Sequence, residues 1–255
     1  AGAGTFTYGT STLVMSGSTK NITYTGDLTL RELTVSGTCT LNGLTGGDVY
    51  PLDDTTISGT LASSANNEEL VLGNSFRANS GALSLGGTIS SLYKIRTTHT
   101  SGTIDIPACA VQRIYSDGSG GTTRATGDLT AQYHLLVASG STFNLNGNTM
   151  TGRTLDVNGG TANLSNSTWN FTREANFGID LTDASTLITG DTTLNGLAPT
   201  NRTAAYLPSA GGFEVVGDVS NFKIMSGGDL TVIGSVTDCS FEDSTANIHQ
   251  WHHTL

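Results

Sequence analysis

The stretch GDLTLRELTVSGTCTLNG, residues 26–43, decides how this chain is read. Leu and Val alternate there with Thr, Arg and Glu, and the run closes on Asn-Gly. Alternation of period two sends successive side chains to opposite sides of an extended backbone, so the stretch reads as short half-buried strands. The same grammar continues in TLDVNGG (154–160), TANLSNSTWNF (161–171) and DLTVIGSV (229–236), punctuated throughout by SG, NG, GG and TG. These corner signals recur about every six to ten residues, which leaves only very short strands between them. In a hairpin, Asn-Gly means a type I′ turn and antiparallel pairing. A sheet of such short hairpins would expose much unpaired edge, whereas laying each strand on its counterpart in the next coil removes edges along most of the length.

The tetrad GDLT begins at Gly26, Gly127 and Gly228, so that successive copies start 101 positions apart. Taken as a repeat, that interval predicts four or five coils of about 20–25 residues, about ten in the whole chain. A coil cannot bury its own inner face, so neighbours must stack into one continuous core. At about 4.8 Å per coil the column would be roughly 50 Å long. The predicted fold is therefore all-β: a parallel β-helix (solenoid) of about ten short coils, forming a single domain over 1–255. The alternative is an antiparallel β-sandwich or jelly roll.

Composition agrees with extended structure. Charged residues make up 13% of the chain, against about 25% in an average globular protein. Thr and Ser together supply about a quarter, and 33 glycines serve the corners. No run of about 18 apolar residues occurs, so no membrane insertion is expected. A formal charge of −10 with eleven scattered Lys and Arg argues against a nucleic-acid partner, because phosphate contact needs a cationic surface. Cys39, Cys109 and Cys239 lie far apart without metal-ligand spacing and read as small buried apolar side chains. The opening AGAGTF carries no Met and no charged-then-apolar signal segment; this is expected of a chain that has lost an initiator Met or been cut from a precursor.

Three segments break the rhythm and are expected to be loop excursions. In 62–74, Asn66 or Asn67 could cap a helix of one or two turns with Glu68 and Glu69 in its first turn and Gly73 as its stop. In 109–127, an Asp-Gly-Ser-Gly-Gly tip lies between Arg113 and Arg124. In 197–213, Pro199 and Pro208 bracket Arg202 and Tyr206, and proline cannot donate into a ladder. Arg113, Tyr115, Arg124, Arg202 and Tyr206 are accordingly the candidate receptor- or partner-binding residues. Asn-rich corners in 144–149 and 163–171 are expected to stack their amides along the column.

Convergent chemistry is sparse. Sugar cleavage needs two carboxylates on either side of a glycosidic bond. Adjacent acids such as Asp53/Asp54 and Glu242/Asp243 point to opposite sides of a strand. Asp180 and Asp183 are the candidate catalytic pair, although three positions apart they too diverge within one strand, so their partners would have to come from stacked coils. Histidine is scarce, and no G-x-S-x-G setting supports a nucleophilic triad. The tail NIHQWHHTL contains the one aromatic and imidazole cluster. His249 and His253 are the candidate metal ligands there, while Trp251 and His252 are read as an end cap over 245–255 or a subunit contact, since a solenoid must stop its own stacking. No cofactor is expected.

GTFTYGTSTLVMSGSTKNI (4–22), LTVSGTCTLNG (33–43) and FNLNGNTMTGRTLDVNGGTANLSNSTWNFT (143–172) resemble the Thr/Gly/Asn-rich parallel β-solenoid repeats of bacteriophage tail and virion structural proteins and of bacterial surface proteins. The resemblance implies a non-enzymatic structural part of a phage particle: a fibre, spike or capsid decoration. It also implies a homo-oligomer, by default a trimer, associated with other virion proteins and with a cell-surface glycan as a partner. Two further readings follow from the same resemblance. One is a bacterial cell-surface or secreted adhesin, and the other is a tail-spike enzyme that degrades polysaccharide.

Overall fold

The computed structural model describes residues 12–43, 48–51, 55–63, 69–72, 83–84, 88–90, 94–172, 178–182, 184–197, 202–207, 213–225, 230–241 and 248–251. Within them the chain is a succession of short strands that winds repeatedly over itself, and there is no helix. Every strand pairing among them is parallel. The fold is a parallel β-solenoid, and the antiparallel sandwich is excluded.

Each winding contributes strands to three faces. Thr12–Met15, Lys20–Tyr24 and Leu28–Leu30 make the first winding, and Glu32–Val35, Thr38–Gly43 and Val49–Pro51 lie directly over them. The third face shows why the stack holds. Leu28, Val49, Leu70, Ile95, Ile114, Leu135, Leu155, Ile179, Ala205 and Ile224 follow one another in register, one per winding. All of them are buried. A fully buried aliphatic side chain contributes about 1.5–3 kcal/mol of transfer free energy, so this single column anchors the fold. The number of windings is close to the ten expected. Two neighbouring columns on the second face, Cys109–Leu129–Met150–Trp169–Leu194–Val219 and Val111–Ala131–Gly152–Phe171, complete the core beside it.

Corners are built from stacked backbone. Gly37 lies over Gly17 and Gly59 over Gly37, with Thr38 N–H donating to the Gly17 carbonyl and Thr60 N–H to that of Gly37. A Cβ on Gly37 would come within 1.9 Å of the Gly17 oxygen, so glycine is required there by close approach. Three of the aspartates that follow a glycine have a separate task. Asp27, Asp128 and Asp218 accept hydrogen bonds from the backbone N–H of Asp48, Thr149 and Ser235, each on the next winding.

The GDLT tetrads are not equivalent places in a larger repeat. Leu28 sits on the third face paired to Val49, Leu129 on the second paired to Met150, and Leu230 on the first paired to Ile248. The register step between windings runs from 17 residues (Val219 to Val236) to 28 (Thr60 to Thr88). In its two fully described copies, at Gly26 and Gly127, the tetrad marks a corner followed by a strand, and the equal spacing has no structural counterpart.

The expected excursions also differ. Glu69–Leu72, expected to be helical, is a strand of the third face, because Leu70 stacks between Val49 and Ile95 and that burial outweighs the local helix-start signals. Within 109–127, Cys109–Ser116 and Thr122–Ala125 are strands and only the corner between them leaves the ladder. Within 197–213, Thr203–Tyr206 pairs with both neighbouring windings, while Pro199 and Pro208 lie outside the described residues. One amide pair stacks, on strands, where Asn195 Nδ2 donates to Asn170 Oδ1 at 2.9 Å, whereas at the corner 144–149 the amides of Asn146 and Asn148 donate to the Ala125 carbonyl instead of to one another.

Candidate functional site

The third face concentrates chemistry on its outer side. Because Ile95, Ile114, Leu135 and Leu155 point inward, the residues flanking each of them point outward. One outer row reads Lys94, Arg113, His134, Thr154 over successive windings, and the next reads Arg96, Tyr115, Leu136, Asp156, Asp180, Tyr206. These residues are spread over more than a hundred positions of sequence, and stacking places them within one strip.

The strip has a cationic and aromatic end. Lys94 is 8% exposed and its Nζ lies 4.2 Å from the centre of the Tyr115 ring. Tyr115 in turn meets His134 with 5.0 Å between ring centroids. Burial, then the charges of Arg113 and Lys94, push the His134 imidazole down to about 4, so it is neutral near pH 7. Arg96 pairs with Asp117. At the corner that leads into this face the ladder slips: Gln132 and Tyr133 together stand opposite Gln112 on one side and Arg153 on the other. The extra residue is a β-bulge, a device that re-aims a side chain. Tyr133 is lifted out of the ladder and flanked by two guanidiniums, Arg113 at 5.6 Å and Arg153 at 4.8 Å from the ring centre.

The other end is acidic. Asp156 and Asp180 are register partners on adjacent windings. Burial raises the carboxyl of Asp156 above its ordinary value, and the charge of Asp180 adds to the rise. Tyr206 follows directly after Asp180.

A second polar group lies inside the solenoid. Thr97 Oγ1 and Thr123 Oγ1 are 2.5 Å apart, Ser116 Oγ is 3.0 Å from Thr123 Oγ1, and Ser116 also donates to the Thr142 carbonyl. Nearby in sequence, buried His99 donates from Nε2 to the Thr122 carbonyl at 3.0 Å. Hydroxyls bonded to one another and to carbonyls hold a corner together and leave no activated nucleophile.

The residues singled out from sequence divide accordingly. Arg113 and Tyr115 belong to the strip, on a strand where a loop is expected from sequence. Arg124 stands on the first face, tied to Asp105 by two bonds of 2.7 and 2.8 Å. Arg202 donates to the Asp238 carbonyl and to Ser240 Oγ. Tyr206 extends the strip. Asp180 is paired with Asp156, which sequence reading misses, and Asp183 lies outside the described residues. His249 and Trp251 occupy the last described strand, Ile248–Trp251, in register with Thr231 and Ile233; His252 and His253 lie outside the described residues. Among the described residues no three His, Cys, Asp or Glu gather as metal ligands. Cys39 and Cys109 are buried, their thiols raised by burial to about 11 and about 12. Lys94, Arg96, Tyr133, His134, Arg153 and Asp156 are charged or aromatic strip residues that sequence reasoning does not find. Their signal is the column they form once the windings KIRT, QRIYS, YHLLV, RTLDV and GIDL are set one above another.

No known protein family, curated protein or solved structure matches this chain.

Proposed function

We propose that this protein is a non-enzymatic structural element of a phage particle, a fibre, spike or capsid decoration that acts by stiffness. The observation that carries the reading is the uninterrupted third-face column from Leu28 to Ile224, with parallel backbone bonds running along the axis. A stack held by hydrogen bonds and buried aliphatics in every winding resists bending and keeps its outer face at a fixed distance from its base. Assembly as a homo-oligomer, with a trimer as the default, and contact with other virion proteins belong to the same proposal. Gold-labelled antibody against the chain, applied to particles and cells of the source, tests it by electron microscopy. Label on capsid or tail is expected. Label confined to the bacterial envelope overturns it in favour of the adhesin reading.

A second reading, polysaccharide cleavage, is favoured by one observation: the register pair Asp156 and Asp180, one of them raised toward protonation, supplies an acid and a base from stacked windings. New reducing ends or unsaturated products from capsular glycans, abolished in both Asp156→Asn and Asp180→Asn, would establish it and displace the passive reading.

A further inference from the structure

Asn-Gly occurs four times in the chain, at Asn42, Asn146, Asn158 and Asn195. The dipeptide is a chemical weak point as well as a corner signal. Glycine carries no side chain to shield its own nitrogen, and that nitrogen can attack the carboxamide carbon of the asparagine before it, one of the thermolabile residue types. At the three described corners the winding above takes hold of the nitrogen. Gly147 N–H donates to Ser167 Oγ at 3.0 Å. Gly159 N–H donates to Thr182 Oγ1 and Ser185 Oγ, both at 3.1 Å, and Gly196 N–H to the Ser220 carbonyl at 2.8 Å. Asn42 and Gly43 instead belong to a strand, in register with Thr23 and Tyr24, and an extended, paired backbone does not fold back on its own side chain.

The carboxamides separate these sites. Asn146 Nδ2 donates to the Ala125 carbonyl at 3.2 Å. Asn195 is held at both ends, its Nδ2 donating to Asn170 Oδ1 and its Oδ1 accepting from Ser220 Oγ. Asn158 is exposed, and among the described residues nothing holds its carboxamide. Its one safeguard is the pair of hydroxyls on Gly159, which lie 2.9 Å from each other, with Ser185 donating onward to the Val157 carbonyl. Thr182 is itself exposed, and a side-chain clamp on an outer corner opens locally at much lower cost than a buried ladder.

We propose that Asn158 is a site of self-modification, its carboxamide becoming a carboxylate when the Thr182–Ser185 clamp lets go of Gly159. Solvent base removes the Gly159 N–H proton, the nitrogen bonds to Cγ of Asn158, and the side-chain nitrogen leaves as ammonia with a proton from water. Water then opens the succinimide ring at one carbonyl or the other, giving aspartate or isoaspartate, with nothing oxidised or reduced. The product sets a new negative charge two positions beyond Asp156. Its isoaspartate form also adds a methylene to the backbone next to Gly160, where even a Cβ would come within 2.4 Å of the Ala138 oxygen, so the modified corner loses its close stacking. The reaction is indifferent to what the column carries.

The test incubates the full chain, folded and urea-unfolded, at mildly alkaline pH. Amide-to-acid conversion is followed by mass spectrometry of tryptic peptides, Asn158 falling in 154–173. In the unfolded chain Asn146, Asn158 and Asn195 are expected to convert at comparable rates. In the folded chain Asn158 is expected to convert first, about tenfold or more ahead of the other two. Thr182→Val with Ser185→Ala should speed Asn158 about tenfold and leave Asn146 and Asn195 as they were. Circular dichroism reports folding; if the double variant does not fold, Ser185→Ala alone carries the comparison, with a smaller rise confined to Asn158. Conversion of Asn146 or Asn195 ahead of Asn158 in the folded chain overturns the proposal. So does an unchanged Asn158 rate in the folded variant, or an Asn158 that stays intact in the folded chain after the unfolded chain has converted.

Discussion

Asp156 and Asp180 occupy the same position on successive windings, one carboxylate stacked on the other along the outer third face. Within a parallel ladder that arrangement sets two like charges as nearest neighbours, which is destabilising by a few tenths to about 1 kcal/mol.

The pair makes stability depend on pH. Asp156 is raised by burial and then by Asp180, so the folded chain keeps a proton at pH values where the unfolded chain has released it, above about 3.9. Stability is present below that value and is lost as pH rises through the raised carboxyl. Asp180→Asn is expected to lower the Asp156 value in a carboxyl-carbon NMR titration and to stabilise the protein at pH 7 by a few tenths to about 1 kcal/mol in urea melts. An unchanged titration would mean that burial alone holds Asp156 up.

His134 acts in the opposite sense. Its imidazole is depressed to about 4, by burial first and then by Arg113 and Lys94. Between that value and the ordinary one near 6.5 the unfolded chain binds a proton that the folded chain does not, so stability falls as pH drops through this interval. His134→Asn is expected to flatten the urea-midpoint profile between about pH 6.5 and about pH 4. A profile identical to the parent's would show that another group titrates there.

Residues of these two kinds differ sharply in how far sequence inspection reaches them. Alternation around Leu28, Leu155 and Val232 is enough to read strands, because an inward aliphatic every second residue is a local property. Glu69 misleads, since its helix-start signals are local and the burial of Leu70 between Val49 and Ile95 is not. The strip is less legible still. Arg113, Tyr133 and Arg153 are brought together by register, and register is obscured by steps of 17 to 28 residues and by the additional residue at Gln132–Tyr133. In sequence Asp180 stands out beside Asp183, whereas its structural neighbour Asp156 lies a whole winding earlier.

Close stacking at the corners predicts a contrast between two glycines. Gly37→Ala forces a methyl group to within 1.9 Å of the Gly17 oxygen, which is backbone and cannot swing aside; a loss of about 1–3 kcal/mol is expected. Gly102 has φ of +75° with open space around it, so Gly102→Ala is strained only by its left-handed backbone, about 1–2 kcal/mol. Chemical denaturation of both variants checks the order. A Gly37→Ala protein more stable than Gly102→Ala would refute the corner geometry.

Ala205 is the smallest member of the third-face column and lines a small apolar cavity with Ile179, Leu194, Leu207, Phe222 and Ile224. Ala205→Val is expected to fill part of it and stabilise the protein by about 0.5–1 kcal/mol, seen as a higher urea midpoint with unchanged slope. In contrast, Leu155→Ala in the well-packed middle of the same column should cost about 2–5 kcal/mol. Destabilisation by the valine would indicate that the space is already closed by its neighbours.

Windings of unequal length nevertheless keep the column from Leu28 to Ile224 in line. Additions and deletions are thus absorbed at the landings between floors while the floors themselves stay level. A foreign peptide spliced beside Gly102, where the surroundings are open, should project sideways without shifting any storey above or below it. Chains of this design can accordingly change what they hold out to their surroundings, winding by winding, while the mast that carries it stays the same.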